Sequence, residues 1–314
     1  ARYDREMIGM DRTAAHIRGS SESRGRTFVV EAQLARGRTR KLFSNGVRLK
    51  NAGELAGVLN TVLFCPEDLY LIREGAAARR RFLDSAICQL RPRYAQALAE
   101  YGRLYEHKTR ILRDWNEHPS LLSALDDFDL RMAQMGALLI HYRAHFVKRL
   151  QEAAPPIHRD FSGGGEELSL TYTTVSNIPD PLASPKELLP LLLDHQVRHK
   201  QAELDSRQCL SGPHKDDLLV DINGLSAKTY GSQGQTRTAA LSLKLAQREI
   251  FQAETEEWPV LLLDDVLSEL DSRRQAFILN RIRGGQVFIT CCEEEKLEGL
   301  EGGKAFHVQG GSLI

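Results

Sequence analysis

Cysteine is scarce in this chain: five residues among 314, Cys65, Cys88, Cys209, Cys291 and Cys292. Their spacing matches no metal-binding pattern, and an odd count makes a poor disulfide framework, so reduced thiols in a cytoplasm are expected. Net charge is absent as well. The 42 Lys and Arg balance 42 Asp and Glu, which rules out a chain-wide polybasic footprint for nucleic acid. No apolar stretch reaches ~18 residues, so no membrane span is expected. No secretory signal is visible in these residues either, although a chain that starts late could have lost one.

Against these absences stand length and an uneven distribution of charge. A chain of 314 residues suggests two domains and can bury a substantial core. Residues 1–50 hold twelve Lys/Arg against five Asp/Glu, net +7, whereas residues 251–314 hold six against twelve, net −6. That asymmetry permits a DNA-facing side and an acidic side, and a solvated face explains it equally simply.

The chain is organised around Trp258 to Ser272. After Pro259, the run Val260-Leu261-Leu262-Leu263 is too short for a helix and too uniform for a half-exposed strand. It is expected to be a strand buried on both faces. Asp264 and Asp265 end it. Adjacent carboxylates at a buried strand tip repel each other unless a cation sits beside them. Mg²⁺, which keeps several waters and binds phosphate oxygens, needs only one or two carboxylates there. The other reading is that the pair simply starts a helix.

Just upstream, Tyr230-Gly231-Ser232-Gln233-Gly234-Gln235-Thr236-Arg237-Thr238 leads into an Ala- and Leu-rich helix over about 239–251. Ser232 with Gln235 three residues later fits a capping box, and the amides left free by that cap can still meet a phosphate. The two readings coexist.

Ser-x-Gly-x-x-Arg, then a helix, an apolar strand, Asp-Asp and Ser268-Glu269-Leu270-Asp271 resembles the signature, Walker B and D-loop of ABC-type ATPase heads. The wording is most similar to the bacterial RecF recombination-repair family. Phe64-Cys65-Pro66-Glu67-Asp68-Leu69, Arg79-Arg80-Arg81-Phe82-Leu83-Asp84 and Gly212-Pro213-His214-Lys215-Asp216-Asp217-Leu218 agree with it. The resemblance implies an α/β fold, an ABC-type P-loop ATPase head of mixed sheet and flanking helices with an inserted α-helical, arm-like lobe. It implies ATP and Mg²⁺ as cofactors, with Asp264 holding the metal and Asp265 orienting or deprotonating the attacking water. Ser232, Gly234, Gln235 and Asp271 are carried over as contacts to a nucleotide held by a second subunit. The chain would then be an ATP-driven homodimer. Asp265 stands where most such heads have Glu, so slow hydrolysis is expected.

Three departures accompany the resemblance. No Gly-x-x-x-x-Gly-Lys-Ser/Thr occurs, and Gly302-Gly303-Lys304 lacks its spacing. The P-loop is expected to precede Ala1, its strand lying beside the Walker B strand, whose edge would otherwise be bare. The Q-loop position after Val62–Phe64 carries no glutamine; Glu67 or Asp68 either stands in by holding a metal-bound water or caps the helix that follows, and the cap is the expectation. Thr290 occupies the switch position where many ABC heads have histidine.

In chain order, 28–34 and 41–49 are expected as strands, the second turning at Asn45-Gly46. Helix begins near Ala76. Tyr94, Leu98, Tyr101, Leu104, Lys108, Ile111 and Trp115 form one stripe, and a partner helix over about 125–150 makes a hairpin with it. Pro155-Pro156 and Gly163-Gly164-Gly165 mark a break, then a strand over 168–174 and a third helix over 186–207. Three segments follow: 1–75, the first part of the head; 76–207, the lobe; 208–314, the part with signature, Walker B and D-loop. Arg79-Arg80-Arg81 either pair with local acids such as Glu74 and Asp84 or meet a phosphate backbone. His214 is expected to be structural.

The function implied is an ATP-dependent DNA-binding protein of recombinational repair. It would dimerise on ATP to clamp double-stranded, gapped DNA and help place RecA with RecO- and RecR-type partners, with no membrane partner. The alternative is a non-hydrolysing scaffold that docks partners.

Overall fold

The computed structural model describes residues 3–55, 57–282, 284–292 and 303–314. It opens on an antiparallel sheet: β1 (Ala14–Ser23) pairs β2 (Arg26–Ala35) over its whole length, and β3 (Lys41–Ser44) joins β2. Asn45 and Gly46, at φ 48° and 78°, turn the chain into β4 (Val47–Arg48), as a two-residue hairpin requires. β1 has no counterpart among the expected strands. Most of its side chains are exposed, so little apolar alternation marks it.

β5 (Thr61–Phe64) is followed by a 3-10 turn, Pro66–Tyr70, and then by α1 (Ala76–Leu90), α2 (Pro92–Asp114) and α3 (Leu125–Ser162). Lys108 meets Asp129, Arg131 meets Glu100 and Arg143 meets Tyr94, so α2 and α3 run antiparallel. α3 does not stop near Leu150, nor does Pro155-Pro156 break it. Two prolines remove two amide donors. Even so, Leu150, Ala154, Ile157 and Phe161 continue one buried stripe, which keeps this end of the helix packed. Gly163, left-handed at φ 69°, ends it.

β6 (Leu168–Thr173), α4 (Pro185–Ser206), β7 (Asp217–Ile222), β8 (Leu225–Ser226), the short α5 (Ala227–Tyr230) and α6 (Gln233–Thr255) follow. β6 pairs antiparallel with β7, from Leu168 opposite Ile222 to Thr173 opposite Asp217. Then come β9 (Val260–Asp264), α7 (Ser272–Arg281), β10 (Val287–Thr290) and a terminal hairpin of β11 (Val308–Gln309) and β12 (Ser312–Leu313).

β9 is the middle strand of a parallel sheet in the order β10-β9-β5. The expectation that β9 itself would show a bare edge is therefore corrected: both its edges are paired, and among the described residues the open edges belong to β10 and β5. β9 is also not buried alike on its two faces. Leu261 and Leu263 are buried, while Leu262 is half-buried in a row with Leu63 and Phe288, which are 46% and 51% exposed.

Charged groups tie the helices to the strands. Arg79, 4% exposed, grips Asp217 through Nε and Nη2 at 2.7 and 2.8 Å, and Arg80 donates to the Asp216 carbonyl. Only Arg81, beside Glu74 at 3.6 Å, makes the local pairing expected of the cluster. Lys108, placed on an apolar stripe by its spacing, is fully buried between Asp129 and Glu203, 2.6 Å from each. No helix among the described residues is long and apolar enough to cross a membrane, and the five cysteines are free.

Candidate functional site

Asp264 and Asp265 lie at the C-terminal tip of the middle strand, where a parallel sheet presents ligands. β10 positions them. The Thr290 hydroxyl donates to Asp264 Oδ1 at 2.7 Å and accepts the Asp265 amide at 3.0 Å, while the Thr290 carbonyl accepts the same amide at 3.2 Å. Asp265 turns away from the strand in the left-handed region at φ 51°, a conformation that Asp tolerates better than most side chains. Ser268 donates to its Oδ1 at 2.7 Å. Asp264 is exposed and Asp265 half-buried, so both carboxylates are within reach of solvent.

Among the described residues no group of three or more His, Cys, Asp or Glu is arranged to hold a metal ion. A site offering one or two carboxylates does not suit a cation that wants a full protein cage. It does suit Mg²⁺, which keeps waters and takes phosphate oxygens. On donor chemistry, therefore, Asp264 fits the expected metal position.

The second group of expected residues sits at the start of α6. Ser232 caps the helix: its hydroxyl accepts the Gln235 amide at 3.2 Å, and Gln235 Oε1 accepts the Ser232 amide at 2.8 Å. Arg73 donates to the Gly231 carbonyl at 3.4 Å, so the chain that follows β5 touches this turn. Lys244, further along α6, makes a second link to that segment. It donates to the Leu63 carbonyl at 2.9 Å and pairs with Asp68 at 2.8 Å. Asp68 in turn accepts the Cys65 amide at 3.0 Å, the cap expected of Glu67 or Asp68.

Asp271 caps α7, accepting the Arg274 amide at 3.0 Å. That hydrogen bond, with the Arg274 guanidinium beside it, holds its carboxyl below the usual carboxylate range. Arg274 reaches from α7 to the signature-like turn, so Asp271, Gly234 and Thr238 form one connected group. Asp264 and Asp265 form another. The two groups are joined in sequence by the five residues 266–270. Beside the Asp271–Thr238 group opens a polar cleft of about 590 Å³, lined by Phe161, Glu166, Thr238, Asp271, Arg273 and Arg274.

His214 is structural. Its Nδ1 accepts from the Tyr101 hydroxyl at 2.7 Å and its Nε2 donates to the Cys209 carbonyl at 2.9 Å. Burial lowers its pKa to about 4, so it is neutral near pH 7. Asp216 and Asp217, its neighbours, neutralise Arg143 and Arg79.

No protein-family model matches the chain. Curated relatives do. The DNA replication and repair protein RecF of Acetivibrio thermocellus is 37% identical over 306 residues, covering 98% of this chain and 83% of that protein. RecF of Agathobacter rectalis is 37% identical over 312 residues, covering 99% and 83%. The chain belongs to the RecF family. Two solved structures of the recombination mediator protein RecF in the RecFOR pathway, RecF-ATP and RecF-ATPrS, share its fold with a TM-score of 0.89 at 31% identity. Each match covers 99% of this chain and 82% of the RecF structure. The fold is thus that of RecF: an α/β ABC-type ATPase head carrying a helical lobe.

For a RecF chain, the expected residues were visible in sequence because each lies in a continuous motif. The residues that hold them were not. Thr290 was singled out only by position, and Arg274 and Lys244 carried no motif. Their signal was spacing: Arg274 stands three residues after Asp271, one helical turn beyond its cap.

Proposed function

We propose that this chain is the head of a cytoplasmic, ATP-dependent DNA-binding protein of recombinational repair. It dimerises on ATP, closes on double-stranded DNA at gaps and helps load RecA with RecO- and RecR-type partners. The observation that carries this reading is the hydroxyl bridge at the tip of β9. Thr290 fixes Asp264 and Asp265 side by side at the ligand-binding end of a parallel sheet, in a chain of the RecF family.

In this reading Asp264 would hold Mg²⁺, which when bound offsets the charge of the phosphate oxygens. Asp265, steadied by Ser268, orients the water that attacks the terminal phosphate. Ser232, Gly234, Gln235 and Asp271 meet the nucleotide of the opposite subunit. The capping box occupies the Ser232 hydroxyl and the Gln235 amide, leaving the amides of Gln233 and Gly234 for phosphate oxygens. Because Asp is one methylene shorter than Glu, turnover is slow.

The test is the oligomeric mass of the full-length protein with and without ATP and Mg²⁺, repeated with Ser232→Arg. Association that needs nucleotide and is lost in the variant supports the clamp. Association indifferent to nucleotide would favour the non-hydrolysing scaffold.

A further inference from the structure

Arg274 bridges the two segments expected to meet a partner's nucleotide. From the first turn of α7 its guanidinium does three things. One nitrogen pairs with the Asp271 carboxylate, Nη2 donates to the Gly234 carbonyl at 3.3 Å, and Nε donates to the Thr238 hydroxyl at 3.0 Å. Thr238 passes the connection on, donating to the same Gly234 carbonyl at 2.9 Å, and it is 3% exposed. These bonds cross 36 and 40 residues of sequence, from α7 back to the start of α6.

The glycine at 234 fits this arrangement. Glycine inside a helix costs roughly 1 kcal/mol relative to alanine, so its place in the first turn of α6 calls for a reason. A Cβ there would stand 3.1 Å from Arg274 Nη2, tighter than ordinary contact. With a side chain there, the Arg274 guanidinium would have to give by a few tenths of an ångström. A planar guanidinium can serve a carboxylate on one edge and a carbonyl and a hydroxyl on another, which an ammonium cannot do with one geometry.

We propose that Arg274 is a positioning residue that locks the Asp271 carboxylate to the Ser232–Thr238 turn, so that both arrive at the partner's nucleotide as one preformed unit. The proposal rests on the reading that these residues face a nucleotide held by a second subunit. Its energetic logic is preorganisation: two segments already fixed relative to each other lose less freedom when a partner closes on them. The pair itself is partly exposed, 28% for Arg274 and 52% for Asp271, and adds little to stability.

Two measurements on the full-length protein decide it. Amide exchange without nucleotide reads the lock directly: in Arg274→Gln, exchange rises on the order of tenfold in 232–238 and 271–275 together, and Arg274→Lys lies between. Unchanged exchange in 232–238 would overturn the proposal whether or not the protein dimerises. Association in ATP and Mg²⁺ reads the consequence. Arg274→Gln weakens dimerisation about tenfold while nucleotide uptake by dilute protein stays within about twofold. A variant with loosened segments that associates as tightly as wild type overturns the positioning role. A wild type that never associates removes the clamp reading, and the exchange result still decides the lock.

Discussion

Arg143 offers the sharpest test of what fastens the helical lobe to the strands. It rises from the middle of α3, is 3% exposed, and holds Asp84 of α1 through Nε and Nη2 at 2.9 and 3.0 Å. Its Nη1 serves Asp216 at 2.9 Å and the Pro213 carbonyl at 2.7 Å. Asp216 is fully buried and also accepts from the Tyr172 hydroxyl. Replacing Arg143 with Met keeps the stem's apolar contacts but leaves a buried carboxylate without its cation. Breaking a buried pair from one side costs about 3–5 kcal/mol, a large share of a typical 5–15 kcal/mol total. The pH dependence follows from Asp216, whose pKa burial raises even while Arg143 opposes it. A carboxyl with a raised folded pKa loses stability as pH climbs from the unfolded value through the folded one. Without Arg143 the folded value rises further, so the variant's deficit is small near pH 4 and grows towards pH 8. Urea titration at several pH values measures it, and Asp216→Asn in the Arg143→Met background recovers part of the loss at pH 8. A deficit below about 1 kcal/mol, or one flat across pH, would refute the reasoning.

Thr290→Val keeps shape but removes the hydroxyl shared by Asp264 and Asp265. ATP turnover is expected to fall on the order of tenfold with an unchanged denaturation midpoint, and Thr290→Ser to restore it, as steady-state kinetics would register. Lys108→Met leaves Asp129 and Glu203 facing each other in the core, and a loss of about 3–5 kcal/mol in urea titration is expected. His214 stays neutral in the fold down to about pH 4, whereas its unfolded form takes a proton near 6.5. Stability present above pH 6.5 is therefore lost towards pH 4, by about 3 kcal/mol, and His214→Gln should flatten that slope in an acid denaturation series.

Local signals read well in this sequence. Asn45-Gly46 makes its turn, the capping box of Ser232 and Gln235 forms with both hydrogen bonds, and the apolar run ending in two aspartates is the middle strand of the sheet. What could not be read depends on partners distant in sequence. Pro155-Pro156 looked like a stop because the cost of a lost amide is local, while the burial that outweighs it comes from packing. Arg79 looked like an exposed basic residue, since Asp217 lies 138 positions away. Lys108 sat on an apolar stripe without sign of the two carboxylates that accept it. An open edge was expected on β9, whereas among the described residues the open edges belong to β10 and β5, because strand order in a parallel sheet is set by crossovers.

The pairing of β6 with β7 bears on how the molecule can be taken apart. All six residues of β7 find their antiparallel partners in β6, a strand that lies between the long helices in sequence. Cutting out 76–207 to obtain a minimal core would strip those partners from β7 and unseat Arg79 from Asp217 in the same stroke. A usable truncation must leave 168–173 behind on a short tether, or the fragment will offer an unsatisfied ribbon to its own copies and precipitate.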